Sequence, residues 1–302
     1  MVDFLLAHWR LAAIAALFFL GVLLRRLGWA GDTHGRRLLN FVFYVGLPIL
    51  IFGALTGVPL ESRHALLPVA AVCVSLLGWG AATLVARRFT LPRTGEGSMA
   101  LCVMSMNISM IYPFASLSMG AEPFAELVMF DMGHAVMAWT LTTVIACRYG
   151  GHSDDIPVLM LRTLAAPPLW ILALALSLNF ADAPIPQEFL SGVLRLGQVC
   201  VLLVPLAMGL LVSARGVRRP EVWSAVVMRS GLGLACGLTL GWLLGFEGEM
   251  ARVVALGAAA PVGFTAVVLS AREGLDVELT ASAAAISVFA GALWIPLAVT
   301  FV

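Results

Sequence analysis

The chain has 302 residues, of which 61% are hydrophobic and only 12% are charged, and its formal net charge is +1. Soluble domains are about 45–50% apolar and about 25% charged, so this composition excludes an ordinary soluble protein. The near-neutral charge does not indicate a nucleic-acid partner. Every basic residue other than His is Arg, which excludes Lys-based covalent chemistry, and the five isolated Cys residues indicate neither a disulfide framework nor a metal site.

Ten apolar runs follow one another along the chain, and short linkers between them hold most of the charge, Gly and Pro. A helix needs about 20 apolar residues to cross the hydrocarbon core of a bilayer. The predicted helices 1 to 10 span approximately residues 4–24, 36–56, 65–86, 98–118, 124–147, 157–180, 190–213, 221–245, 251–270 and 279–302. The sequence therefore predicts an all-α integral membrane protein with ten transmembrane helices.

Arg residues predict the orientation of these helices. Most of them lie in the odd-numbered linkers, as Arg25, Arg26, Arg87 and Arg88 do. Because an excess of Arg marks the cytoplasmic side, the odd-numbered linkers are predicted to be cytoplasmic. Both termini are then non-cytoplasmic, in a multi-pass protein of the cell (inner) membrane.

The two halves of the chain share a pattern of Pro, Gly and Trp. The matched features, in order, are Pro48 and Pro205, Gly78-Trp79 and Gly241-Trp242, Pro113 and Pro261, and Trp139 and Trp294. This order predicts two five-helix repeats, residues 1–150 and 151–302. An odd number of crossings in each half makes the repeats inverted, which is typical of transporters.

Predicted helices 4 and 9 each contain a Pro within a run of small residues. Pro removes a backbone hydrogen bond, and in lipid the freed groups must find other partners. Paired broken helices predict a midplane site whose half-helix N-termini suit an anion such as a carboxylate. The predicted substrate-binding residues are Asn107, Ser109, Tyr112, Pro113, Pro261 and Thr265. The alternative is a plain proline kink in each helix, with polar residues binding neighbouring helices.

Predicted helix 5 carries two titratable residues on one face, Asp131 and His134. Ionisable groups inside a membrane usually face a bundle interior or a wet cavity, so we predict proton coupling through Asp131 with His134 as its partner. The alternative is a structural pair. Arg229 in helix 8 is predicted to extend towards the headgroups, with pairing to a substrate anion or to Asp131 as alternatives. Glu122 and Glu126 are predicted to be solvated.

Three stretches resemble the auxin efflux carrier (AEC) family of bacteria and plants. Residues 24–56, which contain FVFYVGLPILIFGALT, resemble that family's first loop and second helix. Residues 106–140, beginning MNISMIYPFASLSMG, resemble its helices 4 and 5, and residues 258–287, beginning AAAPVGFTAVVLS, resemble its helices 9 and 10. The resemblance covers nearly the whole chain in order.

The resemblance implies a ten-helix fold in inverted halves and elevator-type alternating access. A scaffold of helices 1, 2, 6 and 7 would support a moving transport domain of helices 3–5 and 8–10. The substrate would bind where helices 4 and 9 cross, beside Asn107, Pro113 and Pro261. Bacterial members are associated with small dicarboxylates such as malate or malonate.

The sequence thus predicts a secondary transporter of a small organic anion, with H⁺ or Na⁺ as the open alternatives for coupling. A sodium-coupled symporter of the bile-acid type and a non-transporting membrane sensor are the competing functions. Enzyme motifs such as HExxH, G-x-S-x-G and the P-loop are absent, so an enzyme, a cofactor and a bound metal are not predicted. The lipid bilayer is the expected environment, and a homodimer is an open alternative to a monomer.

Overall fold

The computed structural model describes residues 2–58, 60–150, 167–211 and 218–299, and these residues form helices joined by short loops. In the first half the α-helices are α1 (Val2–Arg26), α2 (Asp32–Phe41), α3 (Leu47–Thr56), α4 (Leu66–Arg88), α5 (Arg93–Met104), α6 (Tyr112–Ser118), α7 (Ala121–Trp139) and α8 (Leu141–Gly150). In the second half they are α9 (Pro167–Phe180), α10 (Gln187–Val201), α11 (Leu203–Leu211), α12 (Pro220–Val227), α13 (Gly233–Leu243), α14 (Gly248–Ala258), α15 (Phe264–Glu273) and α16 (Val277–Val299). The predicted helical residues 157–166, 212–213 and 300–302 lie outside the described part.

Six helical stretches in the described ranges are long and apolar enough to cross a membrane. They are Thr33–Thr56, Ser62–Arg88, Ala121–Gly150, Gln187–Leu211, Pro220–Leu243 and Val277–Val299. Many large apolar side chains on these helices are exposed, including Leu84, Trp242 and Leu297. Such exposure is unfavourable in water and favourable in lipid, so the fold is that of a multi-pass helical membrane protein.

Two of these stretches contain one wide turn with π-helical geometry. Val42–Gly46 joins α2 to α3, and Met228–Leu232 joins α12 to α13. The first wide turn ends at Gly46, two residues before Pro48, the second residue of α3. A π-turn gives the backbone extra room, and it accounts for a Pro that would otherwise clash inside a continuous helix. Pro205 lies similarly near the start of α11.

The helices pack into two groups. One group joins α1, α2, α3, α9, α10 and α11, and the other joins α4, α5, α7, α8 and α12 to α16. Glycines allow close approach within the first group: Gly53 of α3 lies against Leu194 of α10, and Gly197 of α10 lies against Leu50 of α3. Small residues at such crossings let helix backbones pack tightly where lipid supplies no hydrophobic driving force.

Candidate functional site

Two helix interruptions meet inside the second packing group. The α-helical backbone is interrupted between α5 and α6, where Ile108–Met110 forms a 3₁₀ turn, and again between α14 and α15. The Asn107 amide donates to the Pro261 carbonyl at 2.8 Å, and the Gly263 amide donates to the Ser105 carbonyl at 2.8 Å. Met106 and Val262 lie between these bonds as an isolated antiparallel bridge. The two breaks therefore satisfy each other's backbone groups reciprocally.

The bridge residues send their own amides to side chains from the helices behind them. The Met106 amide donates to His134 Nε2 at 3.1 Å, and the Val262 amide donates to Ser287 Oγ at 3.0 Å. His134 lies in α7 and Ser287 in α16. Each break is thus held twice, once by the other break and once by the next long helix, as a buried backbone without water requires.

The two prolines have different places in this arrangement. Pro261 lies within the second break, and its carbonyl accepts the hydrogen bond from Asn107. Pro113 is the second residue of α6, where a missing amide hydrogen costs no helical hydrogen bond. The residues that face each other across the crossing are therefore Met106 and Val262, and Pro113 lies beyond the crossing rather than opposite Pro261.

Two cavities of about 460 and 440 Å³ reach the crossing. We call the first the Glu278 cavity and the second the Asp131 cavity, after acidic residues in their walls. Asn107, Met208, Phe264 and Arg36 line both cavities. Six predicted site residues line the Asp131 cavity, namely Asn107, Ser109, Tyr112, Asp131, His134 and Thr265.

The side-chain amide nitrogen of Asn107 has a weak hydrogen-bond partner. Its side chain is buried, and Ser109 Oγ donates to Asn107 Oδ1 at 2.8 Å. The hydrogen-bond partner of Asn107 Nδ2 within the described part of the chain is a sulfur atom, Met208 Sδ at 3.8 Å. Thioether sulfur is a weak acceptor, so this buried N–H₂ group has donor capacity left for a ligand in either cavity.

Asp131 and His134 bind different partners although they share a helix face. Tyr112 donates its hydroxyl hydrogen to Asp131 Oδ2 at 2.6 Å. His134 Nε2 accepts the Met106 amide hydrogen, so the ring carries its proton on Nδ1. That Nδ1 atom is buried and has no hydrogen-bond partner among the described residues. The wall of the Asp131 cavity therefore contains a carboxylate and a His whose Nδ1–H has no partner among the described residues.

Comparison with known proteins supports a transporter. The chain is 28% identical over 296 residues to an uncharacterized transporter of Methanothermobacter thermautotrophicus, covering 94% of this chain and 95% of that protein. It is 26% identical over 280 residues to an uncharacterized transporter of Methanocaldococcus jannaschii, covering 89% of this chain and 90% of that protein. No protein-family model matches the chain. Similarity along the full length indicates a shared transporter architecture without indicating a substrate.

Arg229 corrects a prediction from the sequence. Its side chain is only 1% exposed, so it does not extend to the headgroups. Its two terminal nitrogens donate to the Val103 and Ala258 carbonyl oxygens. Depth along a helix can be estimated from the sequence, but direction around the helix depends on packing, and here the wide turn at 228–232 directs Arg229 inwards.

A second polar cluster lies at the start of α7, away from the cavities. Glu126 is buried rather than solvated, and His64 Nε2 lies 3.5 Å from Glu126 Oε1 and 4.0 Å from Glu122 Oε1. The spacing of these three residues suits a metal ion. However, His64 Nδ1 accepts the Glu61 amide hydrogen at 2.7 Å, which leaves the ring proton on Nε2. That tautomer directs a hydrogen, not a lone pair, at the carboxylates, so it does not suit a metal ligand, and His64 Nε2 makes no hydrogen bond to a described residue.

Sequence reasoning did not identify Ser287 as part of the crossing. It lies in the run ASAAAIS, which looks like an ordinary small-residue packing face. The repeat provides a signal that could have found it, because Ser287 supports Val262 as His134 supports Met106. A search of the second half for polar residues at the position of His134 would have selected it.

Proposed function

We propose that the protein is a secondary active transporter that moves a small organic anion, a carboxylate, across the inner membrane by an elevator mechanism. The single observation that carries this proposal is the reciprocal pairing of two helix breaks, with the unsatisfied donor of His134 beside it. Interrupted membrane helices are tolerated where they line a cavity, and transporters place substrate and coupling sites at such interruptions.

Hydrogen bonding around the crossing supports ten crossings in two inverted halves, residues 1–150 and 151–302. The bond from Asn107 to Pro261 has its counterpart in the bond from Gly263 to Ser105. The support of Met106 by α7 has its counterpart in the support of Val262 by α16. Such reciprocity is expected of two repeats related by a two-fold axis in the membrane plane.

Helix packing supports a division into a scaffold and a transport domain. The group formed by α1, α2, α3, α9, α10 and α11 corresponds to the predicted helices 1, 2, 6 and 7. The other group contains both breaks and corresponds to the predicted helices 3–5 and 8–10. In our proposal the second group moves as a body against the first, as the resemblance to the auxin efflux carrier family implies.

The chemistry of the Asp131 cavity favours a carboxylate. His134 Nδ1 and Asn107 Nδ2 provide two buried donors. The N-terminus of the ten-residue helix α15 borders the same cavity through Phe264 and Thr265 and adds free amides and a partial positive charge. A carboxylate that accepts from these groups would satisfy donors that are otherwise buried without partners.

Asp131 is the proposed proton-coupling residue. It lines the cavity, is half-buried and has one hydrogen bond described, from Tyr112. A carboxylate close to an anionic substrate is favourable only when one of them is protonated, because like charges repel strongly at low dielectric. Binding of substrate and binding of a proton are therefore expected to be linked. His134 then serves as a donor to substrate rather than as the proton partner of Asp131.

Uptake into proteoliposomes tests the transport proposal. A thermal-shift screen of mono- and dicarboxylates identifies ligands, since a ligand stabilises the state it binds. We expect Asn107→Ala, and Pro113→Ala combined with Pro261→Ala, to reduce uptake of the best ligand by about tenfold or more, from lost donors and lost backbone geometry.

The matched control is Ser177→Ala, which removes an exposed hydroxyl that donates to the Ala173 carbonyl of its own helix α9. Normal uptake by folded Asn107→Ala would contradict the proposed site. Ligand binding without accumulation in vesicles would instead favour a membrane sensor, and uptake driven by Na⁺ but indifferent to pH would favour a symporter of the bile-acid type.

A further inference from the structure

The guanidinium of Arg229 lies between the ends of two different helices. Its acceptors are the carbonyls of Val103, one residue before the end of α5, and Ala258, the last residue of α14. The last four carbonyls of a helix lack partners inside that helix and carry its partial negative charge. One buried cation therefore satisfies the C-terminal ends of both half-helices that lead into the crossing.

The surrounding backbone is shaped to admit this side chain. Gly233, at the start of α13, lies so close that a Cβ there would overlap the Ala258 carbonyl oxygen and Arg229 Nη2. The wide turn Met228–Leu232 carries Arg229 towards α4 and α5 instead of towards lipid. Burying a charge in a membrane is costly unless it is hydrogen-bonded, and here both terminal nitrogens are bonded, although Nε is buried without a partner among the described residues.

In transporters with broken helices, the N-terminal ends suit anionic substrate groups and the C-terminal ends suit a coupling cation such as Na⁺. Here the C-terminal ends of α5 and α14 hold a cation that is part of the chain. A guanidinium presents two parallel donors in a planar fork, which a metal ion of one charge or an ammonium does not.

We infer that Arg229 is a resident cation that fixes the ends of both half-helices, so that substrate binding at the crossing needs no Na⁺ there. The inference rests on the proposed function and deepens it, since it decides against Na⁺ at this place. Arg229 acts on substrate through the backbone: Val103 lies three residues before Met106, and Ala258 four residues before Val262. It is a positioning residue for the two bridge residues, Met106 and Val262.

The test uses the purified full chain carrying Arg229→Ala, Arg229→Lys or the control Arg195→Ala, which removes an exposed arginine from α10. Thermal unfolding is measured in choline chloride, in sodium chloride and in a low, non-denaturing concentration of guanidinium chloride. Carboxylate affinity is measured in choline chloride and in sodium chloride. For wild type and for Arg195→Ala, we expect the unfolding temperature and the carboxylate affinity to be the same in choline chloride as in sodium chloride. Arg229→Ala should unfold at a lower temperature and bind about tenfold or more weakly, and guanidinium but not choline should restore part of both losses.

Arg229→Lys keeps the charge but loses the fork, so its affinity should lie between those of wild type and Arg229→Ala. It carries the test if Arg229→Ala does not fold, in which case wild-type affinity in Arg229→Lys would overturn the inference. Wild-type unfolding and affinity in Arg229→Ala would overturn it as well. Sodium-dependent carboxylate binding by the wild type would overturn the inference but would not contradict the proposed transport function. If vesicles accumulate no carboxylate, the transport proposal fails, and the unfolding measurements still test the inference.

Discussion

Tyr112 donates its hydroxyl hydrogen to Asp131 Oδ2 across 2.6 Å, which joins the short helix after the first break to the long helix α7. The pair borders the Asp131 cavity, which His134 and Asn107 also line. A hydrogen bond to a carboxylate favours its charged form, whereas burial favours the neutral form. The occupancy of the proton on Asp131 is therefore expected to depend on whether Tyr112 keeps its place when the transport domain moves.

Asp131→Asn should abolish accumulation driven by a pH gradient while leaving the protein folded. The amide oxygen of Asn can still accept the Tyr112 hydrogen, but the side chain cannot release a proton at any working pH. Substrate exchange across vesicles without a gradient should continue. The measurement compares gradient-driven uptake with exchange in proteoliposomes.

The matched control for that experiment is Glu122→Gln, which neutralises a solvent-exposed acid in the first turn of the same helix. It should retain both activities. Gradient-driven accumulation at the wild-type level in Asp131→Asn would show that another group carries the proton.

Tyr112→Phe should lower stability by about 1–3 kcal/mol, because it leaves a buried acceptor with one fewer donor.

The location of the two breaks could be predicted from the sequence because Pro and small residues weaken a helix locally. The register of the crossing could not. Whether Met106 faces Val262, or Pro113 faces Pro261, depends on how two segments far apart in the chain approach each other. Hydropathy does not describe such long-range contacts. The wide turns at Val42–Gly46 and Met228–Leu232 were missed for a different reason, because neither contains a Pro that would mark it in the sequence.

Pairing along one helix was a second limit of sequence reasoning. Asp131 and His134 are three residues apart, and that spacing places them on one face. It does not exclude a stronger partner from another element. Here the Met106 amide, which the helix break frees from helical bonding, donates to the His134 ring. A backbone donor freed by a helix break competes well for any nearby acceptor because it otherwise stays unpaired in a buried site.

Arg36 lines both cavities, and its neighbour Arg37 lines neither. Arg36 and Arg37 are both exposed residues of α2. A positive charge at a cavity mouth raises the local concentration of an anion, so Arg36→Gln should raise KM for the carboxylate about three- to tenfold with little change in kcat. Arg37→Gln is the matched control and should change neither constant.

Ionic strength provides a second measure of the same effect. The difference in KM between wild type and Arg36→Gln should shrink as salt rises and the Debye length falls below about 10 Å. Equal KM values for wild type and both variants at low salt would contradict a steering role for Arg36.

Gly197→Ala should destabilise the first packing group by about 1–3 kcal/mol. A Cβ at Gly197 would lie 2.6 Å from Leu50 Cα and 2.7 Å from Leu50 N, and backbone atoms cannot move aside as a flexible side chain can. Gly192 of the same helix has no atom within 4 Å of such a Cβ. Gly192→Ala should therefore be neutral or stabilising by up to about 1 kcal/mol, because Ala favours helix more than Gly does.

Thermal unfolding in detergent distinguishes the two variants. Equal unfolding temperatures for Gly197→Ala and Gly192→Ala would mean that the α3–α10 crossing tolerates separation. Loss of uptake in Gly197→Ala at a temperature where it remains folded would indicate that transport depends on this close approach.

The ion pair between Arg219 and Asp276 should make stability depend on pH. Arg219 Nη2 and Nη1 lie 2.8 and 3.2 Å from the two Asp276 carboxylate oxygens, and Asp276 also accepts the Leu279 amide hydrogen at 3.0 Å as the N-cap of α16. Although burial opposes the charge, the hydrogen bonds from Arg219 and from the Leu279 amide lower the pKa of Asp276 below its ordinary value. A carboxyl group with a lowered pKa stabilises the fold above its unfolded pKa of about 3.9, and this stabilisation is lost as the pH falls through the folded pKa.

Asp276→Asn keeps a capping oxygen and loses the charge, so it should unfold at a lower temperature than wild type at pH 7. The difference should begin to shrink as the pH falls below about 4, where the unfolded chain takes up the proton, and should disappear only below the lowered pKa of the folded Asp276 carboxyl. Asp276→Ala should cost about 1 kcal/mol more at every pH, because it removes the cap as well. Combining Asp276→Asn with Arg219→Gln isolates the pair: a coupling energy at pH 7 that vanishes at low pH supports the ion pair, and one that is independent of pH assigns the effect to packing instead.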